Sequence, residues 1–333
     1  MNRIRQTGQP NQRGFTLVEL MIAMVLGLLL MGALLSMLGQ ARNSFRLDDS
    51  FASMQDESRF AVRELSDDLR MAGYVTSVLM PDNVNIDAST ALIVDCVDGG
   101  GDPWAISLQE PGTGEDTFLM ALDNTTGAAA AAQFSCLTAS QVVAGTDIVA
   151  IKRAAGSTTA TADLAAGDIA IRTNGTVASL FVEPITTPLA GPFQNWLYAP
   201  VIYFIRNFAQ TAGDGIPALC RMFLQTGAPP TMQTECIAEG IENLQIEYGV
   251  DINGDGSINA YITNPTQAQL EQTISVRFFL LARTTDPDRA VDNDKTYAIS
   301  NAPNFIPNDN FHRRVFATTV SVSNARNRIM LGL

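Results

Sequence analysis

The chain carries an apolar segment close to its N-terminus. From Phe15 to Leu38 the only charged side chain is the carboxylate of Glu19. At about 1.5 Å per residue, a helix over this segment spans about 36 Å, and the hydrocarbon core of a bilayer is about 30 Å thick. The pattern therefore predicts a membrane-spanning helix.

Beyond this segment the pattern becomes amphipathic. No glycine or proline occurs between Gly39 and Gly73, and apolar positions recur at helical spacing among charged ones. These apolar positions are Phe51, Met54, Ala61, Val62, Leu65 and Leu69. We expect one continuous helix of about 55 residues, which ends near Gly73 because glycine readily adopts the left-handed conformation of a C-terminal cap.

The remainder of the chain is typical of β structure with long loops rich in Gly, Ala, Thr and Pro. The predicted strands are Ala91–Val97, Thr117–Leu122, Asp147–Lys152, Asp168–Arg172, Ser179–Val182, Ala199–Arg206, Leu219–Leu224, Leu244–Val250, Thr273–Arg283 and Val315–Val322. The predicted loops are 99–103, 124–132, 156–167 and 184–192. One helix followed by many strands favours an α+β head with one dominant, large antiparallel β-sheet.

The charge of the chain restricts what it can bind. It has 34 acidic and 21 basic side chains, which give a formal net charge of −13. Proteins that bind nucleic acids neutralise phosphates with clustered Lys and Arg side chains. We therefore expect no direct nucleic-acid binding and a soluble, self-repelling head surface.

The residues before the apolar segment are basic. Arg3, Arg5 and Arg13 precede it with no acidic residue among them, which favours a cytoplasmic N-terminus and a head on the outer side of the membrane. An ordinary secretory signal has a small-residue cleavage site after its apolar part. Here the polar leader ends before the apolar part, at Gly14.

The sequence Arg13-Gly14-Phe15-Thr16-Leu17-Val18-Glu19-Leu20 resembles the type IV prepilin family. The resemblance implies that a prepilin peptidase cleaves between Gly14 and Phe15 and N-methylates Phe15. It implies a type IV pilin-like fold divided into a cleaved leader at 1–14, a transmembrane assembly helix at 15–39, an amphipathic continuation at 40–73 and a periplasmic β-rich head at 74–333.

Glu19 is a carboxylate within a membrane helix. Such a position costs about 2.5–3.5 kcal/mol, so a role in function is the default expectation. By resemblance, Glu19 pairs with the N-terminal amine of a neighbouring subunit during assembly, since an opposite charge makes a buried carboxylate tolerable. The alternative is a carboxylate that lies at the cytoplasmic headgroups and reaches water. The two environments can apply at different stages.

Three further stretches are similar to minor pilins of the PilW type. They are 67–74 (DDLRMAGY), 241–256 (IENLQIEYGVDINGDG) and 313–322 (RRVFATTVSV). This resemblance implies a minor pilin that primes assembly of a type IV pilus and is incorporated at its tip. The implied partners are other minor pilins, the major pilin, prepilin peptidase and the inner-membrane assembly platform. The implied location is the bacterial inner membrane and then the pilus at the cell surface.

Two other functions remain open from the sequence. A type II secretion pseudopilin of the tip complex would share the leader, the helix and the sheet. A tip-located adhesin or DNA-uptake module would use the long loops, although the acidic composition argues against direct contact with DNA. Deletion of the gene separates the first two, because either pili or secretion would be lost.

The four cysteines are an even number in a chain with an export signal, which favours disulfides. Four cysteines allow three pairings. Proximity in sequence favours Cys96–Cys136 and Cys220–Cys236, because shorter loops close with a smaller loss of entropy. Four buried free thiols are the alternative.

One loop has oxygen donors at alternating positions. Asp251, Asn253, Asp255 and Ser257 surround a glycine at the sixth position, as in the first half of a calcium-binding loop, and Asn259 could add another oxygen. Ile262 stands at the twelfth position, where such loops have glutamate. A Ca²⁺ site and a plain turn between two strands are both consistent with this sequence, and no other cofactor is expected.

The sequence contains no recognisable catalytic motif. The single histidine, His312, lies beside arginines and is expected to be a surface residue of the final strand. No zinc-protease, nucleophile-elbow or phosphate-loop pattern is present. We therefore expect a structural protein rather than an enzyme.

Overall fold

The computed structural model describes residues 14–76, 84–87, 90, 92, 95–96, 103–109, 115, 117–186 and 191–324. The chain divides into two compact units, Met1–Ser50 and Phe51–Leu333, and each is described by itself. Apart from Gly14, the predicted leader lies outside the described residues.

Helix α1 (Leu17–Met71) is 55 residues long and contributes to both units. Its length agrees with the helix predicted from the sequence. In the first unit its large apolar side chains are exposed, among them Leu17, Leu28 and Met37. By length and composition, it is the one helix of the described residues that could cross a membrane.

Among its described residues, the second unit contains the end of α1, two short α-helices, one 3-10 turn (Thr161–Asp163) and thirteen strands. The short helices are α2 (Gly127–Gln133) and α3 (Gln267–Glu271). The strands are β1 (Val84–Ile86), β2 (Leu119–Thr125), β3 (Thr146–Ile151), β4 (Ile169–Thr173), β5 (Ala178–Val182), β6 (Gln194–Leu197), β7 (Val201–Arg206), β8 (Ala218–Gln225), β9 (Thr231–Glu239), β10 (Ile241–Val250), β11 (Ala260–Ile262), β12 (Thr273–Arg283) and β13 (Arg313–Ser321).

These strands form three sheets among the described residues. Sheet I has the order β1-β5-β4-β6, sheet II the order β2-β3-β7-β8-β9, and sheet III the order β11-β10-β12-β13. All pairs are antiparallel except β1–β5, which is parallel. The α+β class is confirmed, but the expected single dominant sheet is corrected to three sheets.

The main core lies between α1 and sheets II and III. Met54, Ala61, Leu65 and Leu69 of the helix are buried there, as the apolar stripe predicts. They pack with side chains of three strands, namely Tyr203 and Ile205 of β7, Ile246 and Tyr248 of β10, and Phe278 and Leu280 of β12. Phe51 and Val62 are only partly buried, at the margin of this cluster.

Gly73 ends the helix as expected. Its φ is +70°, a conformation that glycine adopts without a steric penalty. Its N–H donates to the carbonyl of Lys152, which follows β3. The end of α1 is therefore joined directly to the head.

Several local predictions are corrected by the structure. The alanine-rich segment expected to be a loop forms α2, because alanine has the highest helix propensity and the Oγ1 of Thr126 accepts the N–H of Ala129 at 3.2 Å. Strands β1, β6, β9 and β11 were not predicted. Residues 91, 93, 94 and 97 of the predicted strand Ala91–Val97, and most of the loop predicted at 99–103, lie outside the described residues.

Candidate functional site

The residues of the N-terminal motif form a helix cap. Thr16 precedes α1, and its N–H and Oγ1 both donate to Oε2 of Glu19 at 2.9 Å. The N–H of Glu19 donates in return to Oγ1 of Thr16 at 3.3 Å. This is a capping box, in which the side chains of Thr and Glu three residues apart satisfy each other's backbone N–H groups.

The capping role of Glu19 was missed from the sequence, although Thr-x-x-Glu before an apolar run is its recognised signature. The carboxylate of Glu19 thus has two donors within its own chain. A charge-pairing partner would meet a carboxylate that is already held in place at the start of the helix.

Gly14 and Phe15 lie just before this cap. A Cβ atom added to Gly14 would meet no atom within 4 Å, and the side chain of Phe15 is 90% exposed. Both residues of the predicted processing site are therefore open on all sides within the described part of the chain.

In the head, Asp68 anchors the end of α1. Its Oδ1 accepts from Nε and Nη2 of Arg153 at 2.7 and 2.6 Å, and its Oδ2 accepts the hydroxyl of Tyr203 at 2.6 Å. Burial, together with this carboxylate, raises the pKa of Tyr203 well above its ordinary value. The sequence signal for this anchoring role is that Asp68 lies between Leu65 and Leu69, within the apolar stripe of the helix.

A second ion-pair group holds the same helix. Arg221 on β8 contacts Glu64 of α1 at 3.2 Å and Glu235 of β9 at 3.0 Å. All three side chains are partly exposed, so solvent reduces the contribution of these pairs to stability. Asp68 is the more deeply buried anchor.

The loop after β10 forms a dense network of hydrogen bonds. The side chain of Asp251 is buried. Its Oδ1 accepts the N–H of Gly254 at 2.8 Å and the N–H of Asp255 at 3.2 Å. Its Oδ2 accepts the N–H of Gly256 at 2.7 Å. Asn259 Oδ1 accepts the N–H of Ile252 at 2.7 Å. Gly254 and Gly256 have φ values of +74° and +82°, as a sharp turn requires.

The other oxygens proposed for Ca²⁺ are arranged in the same way. Oδ1 of Asp255 accepts the N–H of Ser257 at 2.8 Å, while its Oδ2 accepts from the side-chain amide of Asn253 at 3.0 Å. Among the described residues, no group of three or more His, Cys, Asp or Glu side chains is placed to hold a metal ion. This geometry favours the plain turn, which is the alternative that the sequence left open, over a preformed calcium site.

The structure contains two disulfides, Cys96–Cys136 and Cys220–Cys236. This is the pairing that proximity in sequence favours. Cys220 on β8 lies directly opposite Cys236 on β9, so this disulfide fastens the last two strands of sheet II. The cysteines contribute to the second core cluster, which contains Trp104 and Phe134.

His312 occupies a different place from the one predicted. It lies before β13 rather than within it, and its ring centroid is 4.6 Å from that of Phe51 on α1. Its Nε2 is 3.0 Å from Oδ2 of Asp288. The ring packs the loop before β13 against the helix, because the long connection from β12 folds back over this end of the head.

A comparison with protein-family models finds two matches. Residues 202–324, which run from the second residue of β7 to beyond the end of β13, match the family described as Type IV Pilus-assembly protein W. Residues 9–35 match the prokaryotic N-terminal methylation motif. A search of curated proteins and a search of solved structures found no match. These two matches confirm the resemblance to PilW-type minor pilins with an N-terminal methylation motif over these two parts of the chain.

Proposed function

We propose that this PilW-type minor pilin primes the assembly of a type IV pilus and is incorporated at the pilus tip. The observation that carries the proposal is the combination of two features in one chain. The methylation motif leads into an exposed apolar helix, and the head contains the PilW region. A chain with both features is suited to enter a filament and to present a large head.

Processing is the first step of the proposed function. Prepilin peptidase cleaves between Gly14 and Phe15 and methylates the new N-terminus at Phe15. The open surroundings of both residues support this step, because a protease needs access to an unobstructed peptide bond. The basic leader keeps this end of the chain on the cytoplasmic side of the inner membrane and places the head in the periplasm.

Glu19 is proposed to guide docking into the filament. Cleavage creates an amine at Phe15, and the same amine on a neighbouring subunit is the natural counter-charge for the carboxylate of Glu19. In a low dielectric medium a paired carboxylate is far less costly than an isolated one. The capping box holds the carboxylate at the helix start, so the docking partner need not order it first.

Lateral packing of apolar helices supplies the remaining driving force for assembly. The exposed apolar side chains of α1 between Leu17 and Leu38 can pack against the helices of other minor pilins and of the major pilin. The inner-membrane assembly platform would bring these subunits together. Only the head would then remain in water, and its acidic composition would keep it soluble there.

Deletion of the gene tests this function against the secretion alternative. We expect the deletion strain to lose surface pili and twitching motility while type II secretion continues at its normal rate. Loss of secretion with a normal number of pili would instead identify a pseudopilin. Complementation with the wild-type chain is the control for effects on neighbouring genes.

A further inference from the structure

Several strand edges of the head are blocked by side chains. The N–H of Glu239 on β9 donates to Oε2 of Glu57 at 3.0 Å, and Nε2 of Gln267 donates to the carbonyl of Leu119 on β2 at 2.9 Å. The N–H of Ile246 on β10 donates to Oδ2 of Asp147 at 2.7 Å. Proteins protect exposed strand edges in such ways because unpaired backbone groups bind other strands.

The outer edge of β13 has no such protection within the described residues. Its pairing with β12 is continuous, without a bulge. At the two ends of this ladder, Thr284 N–H donates to the His312 carbonyl and Val322 N–H to the Ile274 carbonyl. Hydrogen-bonded pairs alternate along an antiparallel ladder, so even-numbered residues of β13 bond β12. The odd-numbered residues point their backbone groups away from β12.

The outward-pointing groups belong to Val315, Ala317, Thr319 and Ser321. In the part of the chain that the structure describes, no hydrogen-bond partner of their N–H and C=O groups is found. All four side chains are exposed. The strand contains no proline or glycine, and Val320 on its opposite face is buried in the main core. Among the described residues this edge is therefore accessible, and the strand that carries it is rich in β-forming residues.

Within the part of the chain that the structure describes, the charge next to this edge also lacks an ion-pair partner. Arg314 is exposed and forms no ion pair with another described residue, and its guanidinium lies 5.4 Å from the ring of Phe316. The whole chain is acidic, with a net charge of −13. An arginine held beside an open strand edge would attract a carboxylate on whatever binds there.

We propose that the outer edge of β13 binds an extended strand of a different pilin subunit, not of a second copy of this chain, and that this strand becomes the fifth strand of sheet III. Only an extended backbone offers donors and acceptors at the strand repeat of about 6.8 Å for two residues. By the proposed function this subunit assembles beside the major pilin and other minor pilins, so their heads are its neighbours. The incoming strand carries a carboxylate near Arg314. This inference rests on the proposed function.

The full-length chain in membranes of its own host tests this proposal. A photo-cross-linking amino acid at Thr319 should yield a product with a different subunit that carries the N-terminal methylation motif, identified by mass spectrometry. The same amino acid at Ser157, in an exposed loop elsewhere on the head, should give no such product. Absence of the product, or a product formed only between two copies of this chain, would overturn the proposal.

Two pairs of variants test whether backbone pairing and charge form the contact. Ala317→Pro removes an outward N–H without removing a bond to β12, as edge strands tolerate, and should lower the cross-linking yield at least tenfold. Ala317→Val keeps the N–H and should keep the yield. Arg314→Glu should lower the cross-linking yield several-fold, whereas Arg314→Lys should not. This second pair of variants still tests the contact if the proline variant fails to fold. Equal yields for all four variants would refute strand pairing.

The result of the cross-linking experiment can be separated from the result of the gene deletion. If deletion removes pili but no cross-link forms at Thr319, the strand edge is not the contact and the proposed function stands. If pili are normal after deletion, the proposed function fails whatever the cross-linking shows.

Discussion

The carboxylate of Asp147 on β3 accepts the backbone N–H of Ile246 on β10 at 2.7 Å. Its other oxygen accepts the N–H of Asn124 at 2.8 Å. One buried side chain therefore joins sheet II to sheet III, at a point where no described strand pairs with that edge of β10. The carboxylate supplies the acceptor that a neighbouring strand would otherwise provide.

This junction predicts a pH dependence of head stability. Burial raises the pKa of Asp147 to about 7, with a smaller contribution from Asp123 and partial opposition from the two N–H donors. At pH values between the ordinary aspartate pKa of about 3.9 and about 7, Asp147 keeps its proton in the folded chain but releases it in the unfolded chain. The free energy of unfolding should therefore fall as pH rises through this window, by at most about 1.4 kcal/mol per pH unit.

Urea unfolding of the full chain in detergent between pH 5 and pH 8 measures this effect. In Asp147→Asn the contribution of this residue to the pH dependence of unfolding should disappear, because the amide does not titrate. The exposed Asp163→Asn variant is the matched control and should retain the wild-type dependence. A wild-type slope that persists in Asp147→Asn would show that another group is responsible.

The anchor between Asp68 and Tyr203 predicts graded losses of stability. Tyr203→Phe removes one hydrogen bond to a carboxylate that keeps both bonds from Arg153, and should cost about 1–3 kcal/mol. Asp68→Ala leaves Arg153 without its partner and should cost about 3–5 kcal/mol. Thermal and urea unfolding of the full chain measure both.

The exposed pair Arg63–Asp67 provides the control for these variants. Its atoms are 3.8 Å apart on the surface of α1, and Arg63→Ala should change stability by less than about 1 kcal/mol. If Arg63→Ala cost as much as Asp68→Ala, burial would not explain the importance of the anchor.

Substitutions of Glu19 separate capping from charge pairing. Glu19→Gln keeps an oxygen that can accept from Thr16 but loses the negative charge, whereas Glu19→Val loses both. We expect both variants to be cleaved and methylated at Phe15 and both to reduce surface pili at least tenfold. Mass spectrometry of the N-terminus and electron microscopy measure the two results. A normal pilus number with Glu19→Gln would leave capping as the function of Glu19.

The loop at Asp251 predicts insensitivity to calcium. Because hydrogen bonds to Asp251 and Asp255 order this loop without a metal ion, millimolar CaCl₂ should leave the melting temperature of the full chain unchanged. Asp251→Ala should lower stability by about 1–3 kcal/mol with or without calcium, because three backbone N–H groups lose a buried carboxylate acceptor. A rise in melting temperature that requires Asp251 and saturates with calcium would support the calcium prediction instead.

Local patterns in the sequence were sufficient for the helix and for many strands. The apolar segment and the stripe from Phe51 to Leu69 predict a helix close to Leu17–Met71, and β12 coincides with its predicted bounds. These features depend on periodicity within a few turns or residues, which the sequence displays directly.

Relations between distant segments could not be predicted in the same way. Asp147 and Ile246 are 99 residues apart, and Tyr203 is 135 residues from Asp68. Such contacts depend on which strands lie side by side, and no local preference determines that order. The division into three sheets and the open edge of β13 follow from the same long-range register.

The position of the head along sheared pili tests the central claim most directly. An epitope inserted after Gly156, in an exposed loop where an added Cβ would meet no atom within 4 Å, can be labelled with gold and viewed by electron microscopy. A priming subunit should be labelled at one end of the filament, with no label along the shaft. Regular labelling along the shaft, or pili that carry no label while the tagged chain restores their assembly, would contradict a function at the tip.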